Sequence, residues 1–561
     1  MKNSRVIVIA NHKPLDNNQR IRERMSVAQT RADRIASRFP HLDLPSIQRG
    51  VNENMKRLYL TMDGRYMDLF DLMNFLQNQH KPLPLSSDNV TKHYSLSNNI
   101  TLNGIYLYQY LLGHGYDPLL IHNFATSNLE ETLREKPLAV CISSNFIFLD
   151  DIKHMASEIK RIDPDVAVIV GGMLIKRLLD PGDDLTSQYK NSLTAFHGKV
   201  DAFIIEAQGE QTLIRVLDSL PDGGRLEHVP NLAIFDDGGK VKFTSREQED
   251  LPIDETTISW DKIPKAYLRK TLPVNTSRGC HFRCRFCTFR WLFPQVHYKS
   301  MAVLKKELKL INQLGFVEHI RFTDDNFTGS KAKLKKVLEM MIQEDFDFSW
   351  SSYARASALD PKLVKMMKKA GCEFVYLGIE SGSPAILKNM DKKLDRDESI
   401  NAIKMLSDEG IQSRGSFIVG YPGETQETFL QTVSLINESG LPYYIPYLFI
   451  YSKRALVHED RDKFGLVGTG QTWRQNTMDA VEASRLMTKL IHIVPESYND
   501  GMTYIEEIYN LLLGKGYDHG EILELFRLKR ELQLAVEERG SERPYHPKVN
   551  EILVKMESLI K

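Results

Sequence analysis

The sequence predicts an α/β protein with a doubly wound, Rossmann-like sheet, a partial (β/α)6 barrel and a helical C-terminal region. Three observations support this prediction. Short β-branched runs alternate with helical stretches over residues 1–222, the alternation restarts near Pro273 for six more strand–helix steps, and the pattern after residue 452 is mostly helical. Such alternation is typical of parallel sheets, in which functional residues lie at the carboxyl ends of the strands.

The Rossmann-like unit, residues 1–222, begins with a β-branched strand at 5–10 and is interrupted by an insertion at 11–98. The insertion has no strand signal and contains two helix-like stretches, near 18–37 and 65–78. After it, short apolar runs bounded by turns indicate buried parallel strands. The expected strands are 118–122, 138–143, 166–170 and 201–205, and the expected helices are 102–112, 149–162 and one that starts at Glu210.

A small β linker, residues 223–265, is predicted from the hairpin turn signal at 236–239. The partial barrel, 266–452, and the C-terminal helical domain, 453–561, follow it. The barrel is expected to be open, because six strand–helix steps are too few for a closed eight-stranded barrel. The expected strands are 273–277, 319–323, 348–353, 373–379, 414–419 and 443–450, with helices between them, and the C-terminal helices are 479–492, 503–514 and 519–539.

The composition argues against several classes of function. The chain has 561 residues with 73 basic and 73 acidic side chains, so no basic footprint for nucleic acid is visible. No apolar run is long enough to cross a bilayer and no signal peptide is recognised, so we expect a cytoplasmic protein without a membrane partner. Five cysteines are too few for a disulfide scaffold; two of them, Cys141 and Cys372, are expected to be buried apolar residues.

The other three cysteines, Cys280, Cys284 and Cys287, fall within eight residues, directly after the first barrel strand. Closely spaced thiolates suit an iron–sulfur cluster, and three of them leave one iron of a cubane open to another ligand. The alternative is a zinc ion bound by the three thiolates and by His281 or His297.

The spacing of three residues and then two between these cysteines, with an aromatic residue before the last, resembles the radical S-adenosylmethionine (SAM) superfamily. Segments 320–327, 378–382 and 416–425 resemble the family's second-, fourth- and fifth-strand motifs. The resemblance implies an oxygen-sensitive [4Fe-4S] cluster whose open iron binds SAM, and a 5′-deoxyadenosyl radical that abstracts hydrogen. It also implies cofactor contacts by Phe286, Asp324, Asn326, Arg355, Glu380, Ser381 and Arg414.

Several of these positions also have simpler interpretations. Asp325 or Asn326 is a candidate cap for the following helix, and Glu424 suits the first turn of helix 425–438. For Arg355 the alternatives are the SAM carboxylate, which its forked guanidinium fits, and a surface ion pair.

A doubly wound domain before such a barrel resembles the cobalamin-binding subfamily. The Asp-x-His-x-x-Gly motif that ligates cobalt in free-standing cobalamin domains is absent, which implies cobalt without a lower histidine ligand; His12 and His93 are weak candidates. The alternative is that the glycines form an ordinary tight turn of a Rossmann-like domain and that this domain binds no cobalamin. The resemblance implies that the protein backbone closely approaches the nucleotide tail of cobalamin at small and polar residues that follow the strands. These residues are Ser143, Ser144, Asn145, Gly171, Gly172, Gly209 and Glu210.

We therefore expect a cobalamin-dependent radical SAM enzyme that methylates an unactivated carbon of a small molecule or peptide, with a flavodoxin-like or other low-potential electron donor. Methyl would pass from one SAM through cobalamin to a substrate radical. Non-methylating oxidation, cyclisation or rearrangement is the first alternative, and a zinc-bearing binding protein is the second. No cysteine precedes Cys141 or follows Cys372, so the second clusters of methylthiotransferases and SPASM-type enzymes are not expected.

Overall fold

The computed structural model describes residues 4–12, 17–83, 92–96, 99–145, 147–179, 193–249, 251–501 and 505–561. The elements before residue 250 are β1 (Arg5–Ile9), α1 (Asn17–Ile35), α2 (Leu44–Lys56), β2 (Leu60–Met62), β3 (Arg65–Met67), α3 (Leu69–Gln77), α4 (Leu102–Gly113), β4 (Asp117–Ile121), α5 (Leu129–Arg134), β5 (Ala139–Ser143), α6 (Leu149–Ile162), β6 (Ala167–Gly171), α7 (Met173–Leu179), β7 (Ala202–Ile204), α8 (Glu210–Ser219), β8 (Leu232–Phe235) and β9 (Val241–Phe243).

The first sheet has seven strands in the order β4-β1-β5-β6-β7-β8-β9. The first five are parallel and almost fully buried, which agrees with their unbroken apolar sequences. The strand order reverses direction between β1 and β5, and in open α/β sheets ligands bind at the carboxyl ends of strands beside such a switch point. The hairpin predicted within the 223–265 linker forms β8 and β9, which extend this sheet with antiparallel pairing.

The insertion contains more structure than its sequence suggested. A two-stranded hairpin, β2 and β3, turns at Asp63 and Gly64, both of which have positive φ. Asp-Gly is the preferred pair for a type I′ turn, so the sequence does contain a signal for this hairpin. Helix α2 was also missed; the side chain of Asp43 caps it by accepting from the backbone N–H of Ser46. The prediction that the insertion has no strand is wrong.

The second part of the chain forms a six-stranded sheet in which every pairing is parallel. Its strands follow one another in chain order, and in the described residues no pairing joins the last strand back to the first, so the predicted partial barrel is confirmed. The elements are β10 (Thr271–Val274), β11 (Ser277–Arg278), α9 (Phe289–Leu292), β12 (His297–Tyr298), α10 (Met301–Gln313), β13 (His319–Phe322), α11 (Lys331–Glu344), β14 (Ser349–Ala354), α12 (Pro361–Lys369), β15 (Cys372–Glu380), α13 (Pro384–Asn389), α14 (Arg396–Asp408), β16 (Gln412–Val419), α15 (Gln426–Ser439) and β17 (Tyr443–Leu448).

The C-terminal region covers the amino ends of the barrel strands. One apolar core joins Phe374 and Tyr443, near the starts of two strands, to the insertion and to the last three helices. A buried ion pair between Lys529 and Asp500 lies in this junction. No helix in the described part of the chain is long and apolar enough to cross a membrane. The elements are α16 (Arg461–Phe464), β18 (Val467–Thr469), β19 (Thr472–Arg474), α17 (Ala480–Ile493), α18 (Ile505–Gly514), α19 (His519–Arg539) and α20 (Pro547–Leu559).

Candidate functional site

The three clustered cysteines lie on a loop framed by the short antiparallel hairpin of β11 and β12. Gly279, immediately before the first cysteine, has a φ of +91°, and a Cβ there would lie 2.3 Å from the carbonyl oxygen of Gln295. Only glycine fits this position without moving the hairpin. Cys284 is buried, Cys280 is half-buried and Cys287 is exposed.

Two adjacent carboxylates at the end of β13 hold the start of this loop. Asp324 accepts hydrogen bonds from the backbone N–H and the hydroxyl of Thr276, at 2.9 and 2.8 Å, and from the hydroxyl of Ser277. Asp325 accepts from the backbone N–H of Gly279 at 3.0 Å. Burial raises the pKa of Asp324, and these hydrogen bonds oppose the rise. Asp324, predicted to contact a cofactor, thus contacts the cysteine loop.

Polar groups from the second and third barrel strands reach the cysteine sulfurs. The side-chain amide of Asn326 lies 3.9 Å from Sγ of Cys280. One Nη of Arg355 lies 3.6 Å from Sγ of Cys284, and the other donates to the carbonyl of Lys393 at 3.0 Å. The helix-cap alternative for Asp325 and Asn326 is wrong, because Ser330 caps helix α11.

The position of Arg355 decides between its two interpretations. The residue is 5% exposed and its guanidinium stacks on the ring of Phe282, 3.7 Å from the centroid, so the surface ion pair is wrong. Its Nε has no partner among the described residues. A buried, unpaired N–H next to a cysteine sulfur fits a ligand carboxylate bound beside the loop.

The electrostatics of the three thiols favour a cationic group bound by all of them. Partial desolvation raises the pKa of Cys287, a hydrogen bond from the backbone N–H of Phe289 opposes the rise, and the sulfurs of Cys284 and Cys280 add to it because neighbouring thiolates repel one another. Among the residues that the structure describes, no three His, Cys, Asp or Glu side chains converge closely enough to bind one metal ion. His281, a ligand in the zinc alternative, hydrogen-bonds to the hydroxyl of Tyr298 instead. Three thiolates on one loop can each bind a separate iron of a cluster, so the residues fit a cluster.

The fourth-strand residues lie next to this loop. Glu380 ends β15 with a φ of +73°, a conformation rarely adopted by glutamate, and its carboxylate pairs with Nζ of Lys392 at 3.1 Å. The same Nζ lies 5.7 Å from the ring centroid of Phe286, so Lys392 contacts both Glu380 and Phe286. Ser381 is buried and hydrogen-bonds to Ser383 and to the hydroxyl of Thr432.

Two residues of the fifth-strand region, Arg414 and Glu424, are buried. Arg414 is the third residue of β16, buried with its guanidinium 5.5 Å from the ring centroid of Tyr376. Glu424 precedes helix α15, which Thr425 caps, so the interpretation of Glu424 as a first-turn residue is wrong. Its carboxyl is buried and accepts from the backbone N–H of Gly420 at 2.5 Å. Burial raises the pKa of Glu424 to about 8.

At the carboxyl edge of the first sheet, the residues after β5 and β6 interlock. Ser143 accepts a hydrogen bond from the amide of Asn103 at 2.7 Å. The side chains of Ser144 and Asn145 accept from backbone N–H groups at the start of α7, and the backbone N–H of Ser144 donates to the carbonyl of Gly171 at 2.7 Å. These residues therefore tie two strand ends together.

The glycines at this edge have different local roles. Gly172 has a φ of +106°, and a Cβ there would lie 2.7 Å from Oδ1 of Asn145. A Cβ on Gly209 would lie 2.2 Å from a methyl group of Ile204, whereas Gly171 has room for one at 3.4 Å from the same residue. Packing within the protein thus explains why positions 172 and 209 require glycine. At Gly171 packing sets no such requirement.

Buried polar atoms without partners test whether this edge fits cobalamin. Among the described residues, the hydroxyl of Thr101, Oδ1 of Asn103, Nε2 of Gln208 and Oε2 of Glu210 have none. Buried groups of this kind normally bind a ligand or water. The corrin ring carries amide side chains that both donate and accept hydrogen bonds, so these atoms fit the periphery of cobalamin.

This edge faces the hairpin that frames the cysteines. Burial raises the pKa of Glu210 to about 7, while its own backbone N–H and the positive charge of Arg278 oppose the rise. Tyr106 interacts electrostatically with both Glu210 and Arg278. Because Arg278 belongs to β11, Glu210 at the carboxyl edge of the first sheet lies near the hairpin that frames the cysteines.

The weak cobalt-ligand candidate in this unit, His12, packs against neighbouring side chains. Its ring lies 5.6 Å from Phe124 and 6.3 Å from His154, and its Nε2 is 4.0 Å from the carboxylate of Asp151. Burial lowers the pKa of His12, and Asp151 opposes this shift.

Sequence reasoning missed several residues of the site. Lys392, which contacts both Glu380 and Phe286, lies in a turn without a recognisable pattern. Asn103 contacts a residue 40 positions away, so no local signal marks it. Thr276 and Ser277 did carry a signal, since two hydroxyl groups directly precede the cysteines.

Comparison with known proteins identifies one family and a shared fold. Residues 274–436 fit the family model described as the Radical SAM superfamily. The chain is 29% identical over 314 residues to an uncharacterized methyltransferase of Pyrococcus horikoshii, covering 55% of this chain and 65% of that protein. It is 25% identical over 351 residues to an anaerobic magnesium-protoporphyrin IX monomethyl ester cyclase of Rubrivivax gelatinosus, covering 59% of this chain and 61% of that protein. The chain thus spans less than two thirds of the length of each of these relatives.

Among solved structures, the chain resembles the radical SAM methyltransferase TsrM from Kitasatospora setae, whose structure has cobalamin and a [4Fe-4S] cluster bound. The TM-score is 0.55 at 14% identity, covering 84% of this chain and 98% of that one. The chain therefore contains a radical SAM domain, identified by the family model. Over most of its length it has the fold of that protein, so the predicted fold class is confirmed, and the predicted resemblance to the radical SAM superfamily is confirmed over residues 274–436.

Proposed function

We propose that this protein is a cobalamin-dependent radical SAM methyltransferase acting on an unactivated carbon. The observation that carries the proposal is the proximity of two strand-end regions: the three-cysteine loop at the carboxyl end of an open barrel lies near Glu210 at the carboxyl edge of a doubly wound sheet. Cys280, Cys284 and Cys287 would hold a [4Fe-4S] cluster. The unpartnered polar atoms of Asn103, Gln208 and Glu210 would bind cobalamin amides.

When bound, these cofactors supply one electron for homolysis of SAM and a methyl group for the substrate. The protein's own residues would position the reactants. Arg355 would offer its free Nε to the SAM carboxylate, and Asn326 and Arg355 donate to cysteine sulfurs, which would stabilise negative charge there. Asp324 and Asp325 fix the loop. A low-potential electron donor is the implied partner.

The likeness to a cyclase supports a second candidate function in the same architecture, oxidative or cyclising radical chemistry without methyl transfer. Both candidates require SAM cleavage at the cluster. They differ in whether S-adenosylhomocysteine accumulates, since only methyl transfer from SAM produces it.

Anaerobic reconstitution of the full chain with iron, sulfide and cobalamin tests the proposal. We expect about four irons per chain, a bound cobalamin spectrum, and reductant-dependent formation of 5′-deoxyadenosine from SAM. With candidate substrates, methylation gives equal amounts of S-adenosylhomocysteine and 5′-deoxyadenosine and a product heavier by one CH₂. Deoxyadenosine without S-adenosylhomocysteine would favour the second candidate. Bound zinc without SAM cleavage would refute both.

A further inference from the structure

A buried ion pair between Lys392 and Glu380 lies beside the cysteine loop. Nζ of Lys392 is 3.1 Å from Oε1 of Glu380, and the two side chains are only 6% and 11% exposed. Among the described residues, no other acidic side chain lies within ion-pair distance of Lys392. Taking two charges out of water often costs more than their mutual attraction gains. Stability alone therefore does not account for this pair.

The backbone places the carboxylate of Glu380 at this position. Glu380 has a φ of +73°, and the pairing of β15 with β16 shifts register between Gly378 and Glu380. Such irregularities change the direction of a side chain and are common next to functional sites. A Cβ on Gly378 would lie 2.9 Å from Oε1 of Glu380 and 3.2 Å from Nζ of Lys392. The end of the strand thus leaves space for the ion pair.

The turn that carries Lys392 also contacts the cysteine loop. The backbone carbonyl of Met390 accepts a hydrogen bond from the backbone N–H of Arg285 at 2.8 Å. Nζ of Lys392 lies over the ring of Phe286, 5.7 Å from its centroid. Arg285 and Phe286 separate the second clustered cysteine from the third. The turn therefore fixes Lys392, and with it the carboxylate of Glu380, relative to the thiols.

We propose that Lys392 is a positioning residue that holds the carboxylate of Glu380 ready to accept a hydrogen bond from the amino group of SAM. This inference rests on the proposed function, in which SAM binds beside the cysteine loop. Lys392 donates to Oε1, and among the described residues no donor lies within hydrogen-bond distance of Oε2. Because a buried ammonium favours an ionised and correctly oriented partner, Lys392 limits the rotation of this carboxylate. Oε2 is then available to a donor group of the ligand.

A double-mutant cycle separates this role from a purely structural one. The ligand is S-adenosylhomocysteine, which has the amino and carboxylate groups of SAM but lacks the sulfonium methyl group. Its binding to the full-length protein, reconstituted anaerobically, is measured by equilibrium dialysis for the wild type, Lys392→Met, Glu380→Gln and the double variant. Lys392→Met should weaken binding about tenfold, and Glu380→Gln at least as much. The double variant should bind no more weakly than Glu380→Gln alone, because Lys392 acts through that carboxylate.

The neighbouring lysine provides the matched control. The side chain of Lys393 is 72% exposed and its ammonium pairs with Asp391 at 2.8 Å, so Lys393→Met should bind S-adenosylhomocysteine as the wild type does. Losses that multiply in the double variant would give Lys392 a role independent of Glu380 and overturn the proposal. Unchanged binding in Lys392→Met, or in Glu380→Gln, would overturn it as well.

Iron analysis shows whether a variant has lost the cysteine loop instead of a ligand contact. We expect Lys392→Met to retain the iron content of the wild type. A loss of iron in parallel with the loss of binding would mean that Lys392 holds the loop, which overturns the proposal. A wild-type protein that binds neither iron nor S-adenosylhomocysteine refutes the proposed function. Multiplying losses in a protein that still forms 5′-deoxyadenosine from SAM refute only the role of Lys392.

Discussion

Thr276 donates two hydrogen bonds to Asp324, one from its backbone N–H at 2.9 Å and one from its hydroxyl at 2.8 Å. The residues are 48 positions apart, at the ends of two adjacent strands, β10 and β13. This contact fixes the chain where it leaves the barrel for the cysteine loop. The second strand therefore sets the geometry of a loop that belongs to the first.

Asp324→Ala should destabilise the protein and loosen the loop. It leaves Thr276 and Ser277 donors without a buried acceptor, which costs about 1–3 kcal/mol in free energy of unfolding. We expect that loss in urea unfolding, together with a lower iron content after anaerobic reconstitution. Glu339→Ala, on the exposed face of helix α11, is the control and should match the wild type in both measurements. Normal iron and stability in Asp324→Ala would contradict the anchoring role.

Replacing Cys280, Cys284 or Cys287 with Ala should each abolish formation of 5′-deoxyadenosine. Removal of one thiolate leaves the proposed cluster with two protein ligands, so iron content should fall well below that of the wild type. Iron analysis and chromatography of the nucleosides check this. Cys141→Ala is the matched control, because this thiol is buried in β5 of the first sheet. Full SAM cleavage in any variant of the clustered cysteines would refute the cluster assignment.

Most of the fold followed from hydrophobic patterns in the sequence. All six barrel strands begin within two residues of their predicted starts, because a strand buried on both faces is a short apolar run bounded by polar turns. The insertion was harder to predict. Its hairpin strands have three residues each, too few for a visible alternation, and its core is completed by C-terminal helices more than 400 residues away.

The candidate site could be predicted from the sequence where its residues belong to a recognisable motif. The cysteines and the Glu380–Phe286 neighbourhood are examples. The sequence did not distinguish a residue that contacts a cofactor from one that holds the loop, since both occur at strand ends. Asp324 and Arg355 show this, because each binds parts of the cysteine loop that are more than 40 residues away in the chain.

The glycine pair after β6 offers a matched test of the cobalamin pocket. Gly172→Ala forces a Cβ to within 2.7 Å of Asn145 at a φ of +106°, which should cost about 1–3 kcal/mol and displace Asn145 and Ser144. We expect weaker retention of cobalamin, measured by absorbance after gel filtration, with unchanged iron content. Gly171→Ala, whose Cβ has ordinary contact distances, should retain cobalamin normally. Equal retention in both variants would show that the pocket lies elsewhere.

Glu424 should make the stability of the protein decrease with rising pH. Its folded-state pKa is about 8, above the usual value of 4.5, because its carboxyl is buried. Below about pH 4.5 both states are protonated; between that pH and about 8 only the unfolded state releases the proton, so stability falls. In Glu424→Gln the side-chain amide cannot ionise, so this variant does not lose stability in this way as the pH rises. The free energy of unfolding of the variant relative to the wild type should therefore increase by about 1.4 kcal/mol per pH unit at most across this range.

Urea unfolding at about pH 5, 6.5 and 8 measures this difference, since other titrating groups are common to both proteins and cancel. Glu427→Gln is the matched control, because Glu427 is exposed in the first turn of helix α15. Its difference from the wild type should stay nearly constant with pH. If the Glu424 variant also shows a constant difference, the carboxyl is ionised in the folded protein and its burial does not raise its pKa.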